Sequence, residues 1–488
     1  MSSPFMAREA VRVRLESEQF SCDEVEIHTL SGREAISRPF RFDLGIVCLN
    51  PDALTAADME GAEATLVFES EGEELRRVHG MIAEIDDLLS TEVETRSFQV
   101  VFVPRVHRMT LVETQEIYMD LNLPGILRQK LELVGLGSED VEMRLAAEYP
   151  PLEFVVQYKE TDLTFISRLT EHCGVSFFFE HVDGRDKIVF TDHRGGFHPA
   201  SPEKAQFRRR GEDRGVFHVE AKTRLVPKSY ILQDYNYRTP QTDLTSSAET
   251  PSGLAGGVVE QGAHFKTPDE GKALAQIRAE ELEATHVVYR GQSELCHFAA
   301  GGRITLEEHP RIGDGVAPLL LVEVEHHVTQ AVAIHGGKEG KPYTNSFRAI
   351  DAGLTYRPPR VTPRPRIHGV TTGIIEQNLG STQEEFAEID QQGRYLVRFL
   401  FDTAPPGQRK ASRPVRMAQP HAGPNYGMHF PLKPGIEVLL IFIDGDPDRP
   451  LIVGSVPNPV TQSPVVDRNA LLNRIKTASG IIFEMKDC

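Results

Sequence analysis

Residues Tyr356 to Arg366, YRPPRVTPRPR, place four prolines and four arginines in eleven positions. Proline donates no backbone hydrogen bond and fixes φ, so the segment suits neither a helix interior nor a central strand. Guanidinium groups at this density favour water over a core. The segment therefore reads as an extended, solvated linker that cannot form a core of its own. A basic patch for an acidic partner is the other reading; the small size of the segment favours the linker.

After the linker the chain reads as a small barrel. Gly369 to Ile375, Ala387 to Ile389, Tyr395 to Phe401, Val415 to Ala418, Ile436 to Ile443 and Leu451 to Val456 supply five or six strands. Ile436 to Ile443 carries one charge, Glu437, in eight residues, which predicts a strand covered on both faces. Asp444 to Arg449 holds three aspartates, a glycine and a proline, the chemistry of a turn. Asp444, Asp446 and Asp448 begin like a calcium loop, but Arg449 and Ser455 stand where that loop needs glycine and glutamate. A charged turn is the better reading.

Before the linker, Val11 to Leu15, Val25 to Leu30, Pro39 to Leu44, Ala64 to Phe68 and Phe98 to Val103 alternate apolar and polar residues, with a turn predicted at Ser31-Gly32. So many short strands imply a barrel or sandwich. Helices are predicted over Leu123 to Gly135, after Thr161 or Asp162, and from the Thr267-Pro268-Asp269-Glu270 capping box to about Ala284. Asp183-Gly184 marks a hairpin between Val175–Phe179 and Lys187–Phe190. Strands are placed near Gly302 to Leu306 and Leu319 to Val328, and the Ser-, Thr- and Gly-rich Gln241 to Gly262 reads as a mobile loop. The fold class is mainly β with some α.

Each candidate for chemistry has a plainer explanation. Adjacent His326 and His327 point to opposite faces of a strand and cannot share an ion. Glu307-Glu308-His309 lacks the second histidine of a zinc-protease helix. His79 has no visible partners and reads as structural. Glu160, Asp162 and Glu171 read as a solvated helix face. Cys22, Cys48, Cys173, Cys296 and Cys488 have neither zinc nor disulfide spacing. No catalytic, cofactor or metal residue is assigned. The net charge of −18 argues against nucleic acid and anionic membranes as partners. No apolar run is long enough to cross a membrane, and the N-terminus lacks a signal-peptide core, so the chain is expected in the cytoplasm unless a dedicated machine exports it.

Five stretches carry a family resemblance, in order. GREAISRPFRFDL (Gly32 to Leu44) and RRVHGMIAEI (Arg76 to Ile85) come first, then Tyr158 to Phe190, then SYILQDYNYRT (Ser229 to Thr239), and last EVLLIFIDGDPDRPLIVGSVPNP (Glu437 to Pro459). From about Val11 to Phe483 the chain resembles the VgrG proteins, trimeric spikes of type VI secretion systems. Asp390-Gln391-Gln392-Gly393-Arg394 is similar to the family's Asp-x-x-Gly-Arg turn. Pro414 departs from it, standing where a tryptophan is usual, and Leu432-Lys433-Pro434-Gly435 replaces Pro-Arg-x-Gly.

The resemblance implies a hub of two related β-barrel domains with helical insertions over residues 1–357, a linker at 358–366, an OB-fold at 367–459 and the start of a short β-helical needle at 460–488. It implies a homotrimer that docks on an Hcp-type tube, carries a PAAR-type tip protein and effectors or adaptors, and punctures a target membrane. Such a chain needs no enzymatic activity or cofactor. It makes no stable membrane insertion before firing and is then secreted through the machine. A spike of a phage tail or extracellular contractile particle is the nearest alternative. A spike-borne hydrolase or a ligand-binding OB module would belong to other classes. The tail from about Val465 is expected to be loosely ordered in an isolated chain, with Ile475, Ile481 and Phe483 poorly covered.

Overall fold

Alternating side chains from Val11 onward do form strands in the computed structural model, which describes residues 10–89, 94–210, 213–310, 318–332, 340–376, 388–402 and 414–487. The described chain is mostly β. It divides into two compact units: residues 1–112, 127–149 and 163–362, and residues 113–126, 150–162 and 363–488.

The first unit is organised by a 12-stranded sheet. Along it run Arg12–Glu16, Glu63–Ser70, Glu73–Asp87, Arg96–Val103, Arg38–Cys48 and Val25–Ala35, then Leu319–Thr329, Lys341–Asp351, Val287–Ser293 and Val216–Thr223. The antiparallel ladder between Val25–Ala35 and Leu319–Thr329 joins the two halves. Phe42, Leu66, Phe68, Phe98 and Phe102 fill the first core, and Phe298, Leu321, Val324 and Phe347 fill the second.

Two expectations for this unit fail. Ser31-Gly32 is no turn, because the strand Val25–Ala35 runs through it and reverses only at Ser37, φ 61°. Gly32 is there to let Phe42 lie across the ladder: a Cβ at Gly32 would fall 2.1 Å from the Phe42 ring. Gln241 to Gly262 is no loop either. It forms Leu244–Glu249 and Ala255–Gln261, which flank Pro227–Asp234 on its antiparallel and parallel sides. Leu244 and Ser246 alternate inward, so small polar residues here mark a strand over a shallow core.

The helices match their signals. Leu123–Leu133 ends before Gly135, φ +83°, and Asp162–Cys173 ends at Gly174, φ +68°. Thr267 caps Pro268–Glu283 by accepting the Glu270 N–H. The Ser176–Val182 and Arg185–Thr191 strands pair around Asp183 and Gly184, both at positive φ. Among the described residues no helix is long and apolar enough to cross a membrane.

The second unit holds a four-stranded sheet in the order Val397–Phe399, Thr371–Ile375, Glu437–Phe442, Pro450–Ser455. Tyr395 and Val415 exchange backbone hydrogen bonds, and Ile452 bonds to Arg416 and Ala418, so residues 415–418 link the two outer strands and close the sheet on itself. Within Glu437–Phe442 only Val438, Leu440 and Phe442 are buried, while Leu439 and Ile441 are half-covered. The expectation of a strand covered on both faces is thus corrected to an alternating one. Residue 387 of the expected Ala387–Ile389 strand lies outside the described residues, and Glu388 and Ile389 are not in a strand. Ile117 and Val156, from the ladder Glu113–Tyr118 with Val155–Thr161, complete the core, where the Phe154 ring lies tilted against Phe399 and the Tyr158 ring edge-on to Phe401.

Candidate functional site

The densest polar constellation lies inside the first unit, where the parity of two strands turns charged residues inward. Leu30, Gly32 and Glu34 share the buried face of Val25–Ala35, as Val324, His326 and Val328 do on Leu319–Thr329. Glu34 Oε1 accepts Arg76 Nη2 at 2.6 Å and lies 2.9 Å from His326 Nε2. His326 Nδ1 meets the Tyr343 hydroxyl at 2.6 Å, and Asn345 Nδ2 donates to that hydroxyl at 3.1 Å. Ser293 Oγ donates to Asn345 Oδ1 at 2.9 Å, and Arg76 also holds the carbonyls of Cys296 and Phe298. Burial would raise the Glu34 carboxyl, but Arg76 and His326 bring it down to about 2. Burial, reinforced by Arg76, pushes His181 down to about 3; its Nδ1 accepts the His79 N–H.

No sequence pattern singles out Arg76, Tyr343 or Asn345, although strand parity signals Glu34. The group contains a serine, a histidine and a glutamate, yet Ser293 meets Asn345 rather than the imidazole. Glu34, His326, Tyr343, Asn345 and Ser293 are buried. Arranged this way, the group can tie strands together but offers no nucleophile to a substrate. His327, on the opposite face, is exposed, as adjacency in a strand predicts. His79 lies mid-strand in Glu73–Asp87 against Thr65 Oγ1 at 2.9 Å.

The acids in and just before the Asp162–Cys173 helix overturn an expectation. Glu160, Asp162 and Glu171 are buried rather than a solvated face. Gln157 Nε2 donates to Asp162 Oδ1 at 2.8 Å, and Glu171 accepts the backbone N–H groups of Val361 and Thr362. Acid residues at helical spacing read as solvated because their acceptors' partners come from distant sequence. The same contacts correct the reading of Tyr356–Arg366 as solvated: Pro358 is buried, and Arg357 and Arg360 are only partly exposed. A second buried centre, Arg105 with Asp186 and Asp140 (2.8 Å to Asp140), ties the end of the strand Arg96–Val103 to the Arg185–Thr191 strand.

The remaining candidates disperse. Glu307 pairs with Lys204, Glu308 with Arg208, and the His309 ring packs edge-on to Phe207. Asp444, at φ 54°, turns the chain, while Asp448 Oδ1 accepts the Val156 N–H at 2.7 Å within the second unit. Burial pushes the Cys22 thiol up to about 11 and raises Cys48 and Cys296, which disfavours reactive thiolates. Cys488 lies outside the described residues.

Among the described residues, a concentrated exposed apolar surface is the hairpin of Leu472–Lys476 with Ile482–Lys486, where Ile475 faces Phe483 and Lys476 faces Ile482. Leu471, Ile475, Ile481, Ile482, Phe483 and Met485 are all exposed. An isolated two-stranded ribbon is marginal in water, and one with apolar groups on both faces needs a cover.

The family model for the phage tail baseplate hub (GPD) matches residues 33–332, and a domain of unknown function (DUF6484) matches residues 385–456. The type VI secretion system spike protein VgrG1b of Pseudomonas aeruginosa is 29% identical over 97% of the chain. VgrG5 of the same organism is 30% identical over 88%, and VgrG3 of Vibrio cholerae is 28% identical over 82%. The chain spans 64%, 55% and 39% of the lengths of these three relatives. A solved Escherichia coli protein, c3393, a type VI component described as similar to phage T4 gp27 and gp5, superposes with a TM-score of 0.65 at 23% identity, covering 91% of this chain and all of its own. The Francisella PdpA–VgrG complex gives 0.63 at 10% identity, covering 100% of this chain and 84% of its own.

Proposed function

Because the chain belongs to the phage tail baseplate hub family, we propose that it is the trimeric spike of a type VI secretion machine. The observation that carries the reading is extent: a relative named as a spike aligns over 97% of the chain. In this reading residues 1–357 form the hub, 358–366 leave it, and the closed sheet within 367–459 is an OB-fold. Residues from 113–126 and 150–162 contribute to that barrel's core. The hairpin 472–486 is the first turn of a β-helical needle, and its exposed apolar faces are covered by the two other copies.

The trimer docks on a hexameric Hcp-type tube, takes a PAAR-type tip and effector cargo, crosses a target membrane when the machine fires and leaves the cell through that machine. Its work is mechanical, and the Glu34–His326–Tyr343 centre is structural, not catalytic. Size-exclusion with light scattering tests the assembly: the expected mass is that of three chains, and a stable monomer at micromolar concentration would end the proposal. Mixing with a hexameric tube ring then tests docking by co-elution. The phage-hub family model also fits a spike of a phage tail or free contractile particle; neighbouring genes distinguish the two.

A further inference from the structure

The arginine- and proline-rich stretch finds its acidic partners within its own unit. Arg357 Nε donates to Glu280 Oε2 at 2.7 Å, and its Nη1 holds the carbonyls of Gly174 and Asp192. Arg360 Nη1 reaches both oxygens of Glu260 at 2.9 Å, and its Nη2 donates to the Tyr230 hydroxyl at 2.6 Å. The buried Arg278 pairs with Glu281 at 3.5 Å and donates to the His172 carbonyl at 2.6 Å.

The backbone is held in an unusual way. Residues 357–362 belong to no helix or strand. The Arg360 N–H points to Glu281 Oε1 at 3.4 Å, and those of Val361 and Thr362 to Glu171 Oε2 at 3.0 and 2.9 Å. The Thr362 hydroxyl donates to the other Glu171 oxygen at 2.8 Å. The backbone N–H groups of three successive residues thus end on side-chain carboxylates of two helices, Asp162–Cys173 and Pro268–Glu283. Glu171 is 1% exposed, whereas the Val361 side chain is 57% exposed. A ladder would use backbone acceptors shared with neighbouring strands; here the segment can detach without breaking any sheet.

We propose that residues 357–362 are a latch, set by Glu171 as its positioning residue, that locks the chain against the first unit just before the chain leaves it at Thr362. Locked, the segment is an extended strap with fixed ends. Released, it is a tether of about 20 Å. Glu171 acts through the strap's backbone, and the arginines hold the strap to the second helix and to Glu260.

Trypsin reads the state of the latch. Arg357 and Arg364 precede proline and resist cleavage, so Arg360–Val361 is the susceptible bond within the strap. In the intact chain this bond is expected to stay uncut under conditions that digest a peptide of the same sequence. Glu171→Ala removes the three hydrogen bonds that the strap makes to this carboxylate, together with its Arg38 contact at 3.5 Å, and is expected to speed cleavage there by at least about tenfold, with Glu171→Gln intermediate and other tryptic sites unchanged. Cleavage of the unaltered protein at the peptide's rate, or folded Glu171→Ala cut no faster than it, would overturn the latch. If Glu171→Ala does not fold, hydrogen exchange on the unaltered chain decides: protected amides at Val361 and Thr362 support the latch, and free exchange at both rejects it.

Discussion

His326 Nε2 lies 2.9 Å from Glu34 Oε1, and both side chains are buried. Burial lowers the affinity of His326 for a proton, and it takes His181 down to about 3 and His297 to about 4. In the unfolded chain these imidazoles take up protons near pH 6.5, while in the folded chain they stay neutral, so stability falls as pH drops through that interval. Glu34, held at about 2 against 4.5, adds its own loss between those values. Unfolding free energies from urea titrations are expected to be level from pH 8 to 7 and to fall steadily below 6.5, by a few kcal/mol in all, with the midpoint falling alongside. A midpoint unchanged at pH 5 would contradict the buried neutral histidines.

Arg105→Ala removes the cation shared by Asp186 and Asp140, leaving the buried Asp186 without its charge partner and Asp140 with only Arg185 at 3.7 Å. The expected loss is about 3–5 kcal/mol in chemical denaturation. Adding Asp186→Asn should recover part of it. A double variant as unstable as the single would show that packing, not charge, is lost.

In the strand Glu437–Phe442, Phe442→Ala is expected to cost about 3–5 kcal/mol, and Ile441→Ala, half-covered on the other face, about 1–2. Equal effects would mean the strand does not alternate.

The exposed hairpin gives the opposite expectation. Ile481→Asp and Phe483→Asp, at side chains 70% and 59% exposed, should leave the melting of the single chain unchanged but weaken self-association. Full-strength association by light scattering in both variants would place the interface elsewhere.

Local signals survived folding best. Asp183-Gly184, Gly135, Gly174 and the Thr267 cap appear where their backbone chemistry puts them, because each depends on a few neighbouring residues. What escaped the sequence depends on distant partners. Glu171 read as solvent-facing because its ligands are 190 residues away at Val361. Gln241–Gly262 read as a loop because Leu244 and Ser246 show their alternation only against a sheet formed elsewhere. The Glu34 centre was partly legible: parity puts a carboxylate on an apolar face, but nothing nearby announces Arg76 or His326.

The second unit draws its chain from three separate stretches, and Ile117 and Val156 of the earlier two sit in the same core as Val438 and Leu440. Recombination is thereby constrained. A crossover near residue 363 would graft a new C-terminal barrel onto core residues evolved for another one. Lineages exchanging this region should keep 113–126 and 150–162 with it, or repack them afterwards, so the barrel is inherited as a set of interleaved pieces and not as a cassette.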